Sequence, residues 1–593
     1  MDVMYCGDKN ILDGLTISVL SLLKHTSEPI RVYVLTMVFS LPGKKYQPIL
    51  QSDVSFLDKK LKAKNRDSFI KVMFQKNYPY YEHPKLKNLS EYMDYISTKY
   101  NTKVAFSYHK DGELIRKSFL DFTADVKNLS NFFYKKYRGK HIGIAGENSY
   151  NWLVTFMALI LSGNVAVPID KDADEDLLKR LIKTGDVDVL YYSENYLPFV
   201  KKIHVKSETL ETISEKVEEG KNYNNEHAPK DNTPAAIFFT SGTTGANKGV
   251  VLSEKNMTAD IYGASSLYMP YGATVSILPF HHSFGLVTAI LMPAYYGVET
   301  YICSSLKRFV EATQLIHPDT LFLVPAFVEG FYRQIWRTAR KSHKETLLKA
   351  MLGISGNLNR VGLDFRRTFA RSILREFGGD LKHIICGGAY LDPTYVKWFR
   401  KLGIDVLNGY GITECSPVLS VNRNKYYRDG SIGQPCRDVE VKIIDGEICA
   451  HGDVVMLGYY EKGKITPPGK YFHTGDLGRI DKDGFIFITG RIKNTIILSN
   501  GENVSPEVIE ADLLKNKGVR EVVVYADGNM IKAMVYPEEN RIGDKTYFET
   551  IRRRYNYNKP DSRKLAEINL RTTEFIKNNT KKIIRSKIME ENS

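Results

Sequence analysis

Short apolar runs alternate with amphipathic stretches through most of this chain. HIGIAGE, VAVPI, AAIFFT, ATVSILP, TLFLVP and HIICGG are each bounded by turn residues, the pattern of strands buried in a parallel sheet. Such strands alternate with helical segments from about Leu89 to Gly490, which predicts a large α/β core. Ahead of it, Val3 to Cys6 reads as a strand, LTISVLSLLKH as an amphipathic helix and IRVYVLTM as a second strand. The charged stretch Phe56 to Lys76 reads as helical. The longest apolar segment, Trp152 to Ile169, is interrupted by Ser162, Gly163 and Asn164, and so predicts a buried helix followed by a strand. The polar run from Ser207 to Thr233 reads as a solvated surface helix and loop.

Past Gly490 the chain is long enough for a small α+β unit. Ser505 is placed to cap a helix that has Pro506 at its first position, REVVVYA and IKAMVYP are strand-like, and the tail is basic. These patterns divide the chain into residues 1–75 (a truncated α/β segment), 76–490 (the multi-layer core) and 491–593 (a small mobile unit).

Composition narrows the classes. A chain of 593 residues, 43% apolar, 25% charged and 11% aromatic, is globular, which excludes wholesale disorder, collagen and coiled coil. Its net charge is 83 − 68 = +15, which favours anions: nucleotides, coenzyme phosphates, an acidic carrier protein or an anionic membrane. The six cysteines are scattered, with no C-x-x-C pair, and point to a reduced, cytosolic compartment. The opening MDVMYCGDKN has neither the basic nor the apolar region of a secretion signal.

The sharpest local signal is FFTSGTTGANKGV, Phe238 to Val250. An apolar strand enters a loop in which Gly242 and Gly245 allow backbone N–H groups to face an anion. Thr240, Ser241, Thr243 and Thr244 add hydroxyl donors, and Lys248 adds a mobile positive charge. This is chemistry for a polyphosphate, although Asn247-Lys248-Gly249 is not the Gly-Lys-Ser/Thr of a Walker A loop.

With LPFHHSFG, GGA, NGYGITE, YFHTGDLGRIDKDGF, GRIKN and NTKKI in order after it, the chain resembles the acyl-adenylate-forming enzymes, which include acyl-CoA synthetases, adenylation domains and luciferase. GENSYNW, VAVPIDK, GGAYLDP and GYGITECSPVLS resemble the bacterial fatty acyl-CoA synthetases. The resemblance implies a seat for ATP. Tyr410 and Gly411 belong to it, with Gly387 and Gly388 opening room for adenine and Asn408 bonding its exocyclic amine. Thr413 lies at the α-phosphate, and Glu414 with Thr240 holds Mg²⁺. Asp476 and Arg491 take the ribose, and His282 gates the acyl pocket while His281 is structural. Lys582 is the catalytic lysine of the terminal unit, and Lys493 its hinge. Lys581 stands where relatives carry Gly. No acid follows His282, which argues against an amino-acid substrate, and the acyl pocket is expected around Val324 to Phe331 and Gly411 to Ser420.

The activity implied by the resemblance is that of an ATP-dependent acid–thiol ligase. Its substrate is a carboxylic acid, a fatty acid in this branch, and its acceptor is coenzyme A or the phosphopantetheine of an acyl carrier protein. A catalytically silent nucleotide-binding regulator is the alternative from another class. Nucleic acid is not an expected partner. The basic residues Arg333, Arg337, Arg340, Lys341, Lys344, Lys349, Arg366, Arg367, Arg371 and Arg375 read as a solvated face, or as a docking face for a carrier or for the inner surface of a membrane. Residues 1–75 resemble the start of the glycogenin and lipopolysaccharide-galactosyltransferase fold. No D-x-D metal motif follows before the next domain starts, so this segment is expected to be non-catalytic.

Overall fold

The computed structural model describes all residues except 38, 42–43, 47–48, 50–52, 76–79, 242–246, 361–363, 425, 499–501, 578–582, 586–587 and 589–593. Two large sheets organise the core. In the first, Lys206–Thr209, Val189–Tyr192, His141–Ala145, Val165–Ile169 and Ala236–Ser241 run parallel; Asn247–Leu252, Gly458–Glu461 and Lys464–Thr466 extend it antiparallel. The second has nine strands, with Asp405–Gly411, His383–Cys386, Thr320–Leu323 and Ala273–Ser276 parallel at its centre.

One continuous apolar core joins both sheets through the helices Phe119–Lys136, Tyr150–Leu161 and Glu254–Leu267. Each begins on a serine whose hydroxyl accepts an early N–H of the helix: Ser118 from Asp121, Ser149 from Trp152, Ser253 from Asn256. Tyr150–Leu161 is apolar all round and buried from Trp152 to Ile160, as its sequence predicts. Burying each large side chain contributes about 1.5–3 kcal/mol. No described helix is long and apolar enough to cross a membrane.

Two expectations need correction. The helix in the N-terminal segment is Ser55–Lys64; Phe69–Gln75 is a strand, parallel to Arg31–Met37, which in turn pairs with Asp2–Cys6. FIKVMFQ is mostly apolar, and its aromatic and β-branched residues favour a strand despite the charge of the preceding helix. The polar run after Lys206 is not wholly solvated either. Lys206–Thr209 adds an edge strand, and the helix Ile213–Gly220 buries Ile213 and Gly220 against Phe119–Lys136.

Residues past Arg491 form a three-stranded sheet, Val519–Asp527, Met530–Pro537 and Leu565–Leu570, backed by helices Pro506–Leu514 and Lys545–Asn556. Pro506 opens its helix as expected. Ser505 does not cap it, since its hydroxyl donates to Glu507 Oε2 at 2.8 Å.

Candidate functional site

A polar cluster forms where the second large sheet meets the small antiparallel sheet of Glu440–Ile444, Glu447–His451, Phe472–Ile480 and Ile486–Arg491. Asp476 and Arg491 are direct partners across two strands of the small sheet. Arg491 Nε donates to Asp476 Oδ1 at 2.6 Å, and the Tyr410 hydroxyl donates to Asp476 Oδ2 at 2.6 Å. Asp476 is 3% exposed, so its charge is balanced locally by that guanidinium. Burial, and then the neighbouring carboxylate, hold the Tyr410 hydroxyl well above its ordinary pKa, so it stays a donor.

Beside this cluster, strand His383–Cys386 ends in Gly387 and Gly388. Gly388 adopts φ +86°, a conformation that side chains rarely take. A Cβ at Gly387 would lie in van der Waals contact with the Phe284 ring, at 3.4 Å, and take up space that the glycine leaves open. Asn408, on the adjacent strand, has its Oδ1 buried with no hydrogen-bond partner among the described residues. An orphaned buried acceptor at the edge of a glycine-widened gap, next to an aromatic ring, fits the exocyclic amine of adenine.

Gly387, Gly388 and Tyr410 line an apolar cavity of about 50 Å³ together with Phe284, Thr288, Met292 and Tyr268. Phe284–Leu291 is wound as a π-helix, a wider turn that recurs at functional sites. The Gly411 to Ser420 part of the expected pocket is present as Gly411, Pro417 and Val418. Val324 stands beside it, 3.5 Å from where a Cβ on Gly388 would lie, and Phe284, Thr288 and Met292 add a further wall. No periodicity marks that wall, because FGLVTAIL is apolar on every face. Buried Asp260 holds the opposite wall by accepting from Val418 N–H at 2.7 Å.

Thr413 and Glu414 lie on a single turn, Thr413–Cys415, packed against the strand Asn247–Leu252. Thr413 receives the Ser283 hydroxyl at 3.5 Å. Glu414 Oε1 accepts from the Tyr459 hydroxyl at 2.8 Å, and the Lys248 ammonium sits 4.7 Å from the centre of the Tyr459 ring. Lys248 is the cross-strand partner of Thr240, and Asn247 that of Ser241, so the hairpin places Thr240 beside its lysine. Tyr459 has no sequence signal to mark it, since it lies on a strand some two hundred residues from that hairpin. A carboxylate and hydroxyls make an all-oxygen donor set, which fits a hard divalent cation such as Mg²⁺.

His281 is buried. Its Nδ1 accepts from Lys171 N–H at 3.3 Å and its Nε2 lies 3.3 Å from Asp170, and burial drives its pKa well below the usual value. That neutral, tethered ring is structural, as expected. His282 packs against it at 4.3 Å between ring centres, on the turn that opens the π-helix.

Gly242, Thr243, Thr244, Gly245, Lys581 and Lys582 lie outside the described residues. Lys577 and Ile583, which flank the last of these, pair as an antiparallel bridge. Lys577 and Glu521 of the terminal unit act electrostatically on Glu329 of helix Pro325–Lys341, and Glu329 in turn acts on Cys386, next to Gly387. Lys493 is exposed on the turn Ile492–Asn494, between the small sheet and the strand Ile496–Ile497.

Of the basic residues, Arg366 and Arg367 are structural: they donate to Arg400 O and to Leu381 O and Gly379 O. Arg333, Arg337, Arg340, Lys341, Lys344, Lys349, Arg371 and Arg375 are exposed.

The sequence pattern of the AMP-binding enzyme family matches residues 94–460, well over half of the chain. The chain belongs to the AMP-binding enzyme family. This AMP-binding enzyme is 25% identical over 429 residues to the long-chain-fatty-acid–CoA ligase FadD15 of Mycobacterium bovis, spanning 66% of this chain and 71% of that one. It is 27% identical over 472 residues to a long-chain-fatty-acid–CoA ligase of Escherichia coli O157:H7, spanning 73% and 76%. Its fold is similar to that of the anthranilate CoA ligase AuaEII in complex with anthranoyl-AMP, with a TM-score of 0.67 at 18% identity, covering 86% of this chain and 98% of that one.

Proposed function

We propose that this protein activates a fatty acid with ATP and passes the acyl group to the thiol of coenzyme A. The observation that supports this most directly is the joining, at Gly387, Gly388 and Tyr410, of an apolar cavity to a polar seat carrying Asn408, Asp476 and Arg491. An acid whose first few carbons enter the cavity leaves its carboxylate beside a nucleotide held by the polar groups, and a longer tail requires the cavity to widen.

A carboxylate lacks a leaving group. Its oxygen attacks the α-phosphorus of ATP, the bond to the bridging oxygen breaks, and pyrophosphate departs, leaving a mixed anhydride. Positioning and positive charge lower this barrier, because negative charge gathers on phosphoryl oxygens. Thr413, Lys248 and Lys582 are assigned to that charge, and Tyr410, Asn408, Asp476 and Arg491 to holding the nucleoside. Mg²⁺ bound by Glu414 and Thr240 would supply further positive charge. In the second step a thiol sulfur attacks the acyl carbonyl, its proton leaves to solvent, and AMP departs. We assign Lys493 as the hinge on which residues 491–593 turn between the two steps, residues 76–490 as the core, and residues 1–75 as an appendage without sugar-transfer chemistry.

The test is ATP–pyrophosphate exchange across acids from acetate to stearate, aromatic acids and amino acids. Product analysis with coenzyme A and with a holo acyl carrier protein then runs in parallel. Exchange driven by fatty acids and an acyl-CoA product are the expected outcome. Thioester only on the carrier would move the acceptor, consistent with docking on the exposed face around Arg337 and Arg340. No exchange with any acid would refute the ligase.

A further inference from the structure

Three side chains on the small antiparallel sheet take no part in the chemistry above. Glu447 and Cys449 stand two apart on the strand Glu447–His451, and His473 is the cross-strand partner of Cys449. The pairing register shifts between Glu447 and Cys449, an irregularity that re-aims side chains, and the three side chains converge there. His473 Nδ1 lies 2.7 Å from Glu447 Oε2 and 3.4 Å from Cys449 Sγ. Their three ligand atoms fall within 4.8 Å of one another, the one such group of His, Cys, Asp or Glu among the described residues.

Those separations approach the ligand shell of a tetrahedral transition metal. Bonds of about 2.3 Å to sulfur and about 2.0–2.2 Å to nitrogen and oxygen, at tetrahedral angles, put S···N near ~3.6 Å and N···O near ~3.4 Å. The sulfur–nitrogen gap already matches. The nitrogen–oxygen gap must open by about 0.7 Å, the change expected when a cation replaces the shared proton. Two further features favour a ligand. Glu447 Oε1 accepts from Gly475 N–H at 2.7 Å, which orients the carboxylate from outside the trio. The His473 side chain is 58% exposed, so a cation and a solvent ligand have a way in.

We propose that Glu447, Cys449 and His473 bind one divalent cation of zinc's preference, with water in the fourth position. Binding displaces the Cys449 thiol proton and the imidazole proton shared with Glu447 to solvent; no electrons move. The site is separate from Glu414. It neighbours the nucleotide seat, since His473 and Asp476 share a strand and Glu447 holds the glycine between them. That placement suits a regulatory cation more than a catalytic one.

The full-length protein, stripped of metal, is titrated with Zn²⁺ against a chromophoric chelator and separately with Co²⁺ by absorption. One equivalent of Zn²⁺ should bind, and Co²⁺ should develop a near-ultraviolet thiolate charge-transfer band. Cys449→Ser and His473→Ala should each weaken binding by about tenfold or more. Cys449→Ser should also remove the band, while Cys6→Ser, at the exposed cysteine, should change neither. Equal affinity in wild type and His473→Ala, or no thiolate band, overturns the proposal. Because Cys449 is buried and its variant can misfold, the exposed His473 variant decides alone in that case. Neither readout uses turnover, so this outcome is independent of the ligase reading.

Discussion

Replacing Asp476 by Asn keeps the side chain's shape and removes its charge. At 3% exposure Asp476 already accepts from Tyr410 and Arg491 at 2.6 Å each. An ionised carboxylate offers about four lone-pair sites; a third, longer bond from Arg491 Nη2 at 3.5 Å leaves roughly one for a ribose hydroxyl of the proposed nucleotide. Asn retains one neutral acceptor and turns the other oxygen into a donor. Each hydrogen bond to a charged acceptor is worth about 1.5–3 kcal/mol, so losing one should raise KM for ATP roughly 10- to 150-fold, at about 1.4 kcal/mol per decade. The new amide would face Arg491, whose side chain is 51% exposed and can turn toward water, so the fold should survive. The assay is ATP–pyrophosphate exchange at varied ATP with saturating acid, then at varied acid with saturating ATP. KM for the acid should stay constant. An unchanged KM for ATP in a folded variant, or equal rises for both substrates, would refute the ribose assignment.

Lys582→Ala should slow adenylation by roughly 10²–10³, the size of one lost electrostatic stabiliser, and spare thioester formation from supplied acyl-adenylate. Equal loss of both steps would count against that division, which single-turnover assays of each can resolve. Lys493→Pro should leave pyrophosphate exchange intact and slow thioester formation; an unimpaired second step excludes the hinge. Tyr268, whose hydroxyl is 2.8 Å from Thr320 Oγ1, lines the cavity, so Tyr268→Ala should enlarge it and extend the range of accepted acids to longer chains. That change should cost about 3–5 kcal/mol of stability, and an unaltered chain-length profile in the folded variant would show that the acid lies elsewhere. Burial raises the Glu254 carboxyl to about 7, although it accepts from Leu89 N–H at 2.9 Å. It therefore holds a proton in the folded state over a range, from about 4.5 to 7, where the unfolded chain releases it, and stability falls as pH rises through that window. Glu254→Gln should remove this dependence and gain on the order of 2 kcal/mol relative to wild type at pH ~8 compared with pH ~5. Urea unfolding at both values measures it, and an equal difference at the two would contradict the buried proton.

Much of the fold is local and legible in the sequence. The apolar strands of the core, the break at Ser162 to Asn164 and the Pro506 helix start all arise from periodicity and turn chemistry within a few residues. The hydroxyl-rich hairpin and the Thr413–Glu414 turn are readable because glycines and hydroxylated residues cluster in sequence. Phe69–Gln75 reads as helical only because its charged preceding helix dominates the composition, while its pairing with Arg31–Met37 is settled across more than thirty residues.

The sequence by itself determined which chemical groups the protein carries and which short segments become strands, helices and turns, since those preferences act between near neighbours. Only the tertiary structure decided that Tyr410, Asp476 and Arg491 share one buried cluster, and that Tyr459 bridges Lys248 and Glu414. It alone put Cys449 opposite His473. Each of these contacts depends on strand order and register, which are set by the collective burial of the whole core and leave no trace in the spacing of the residues involved.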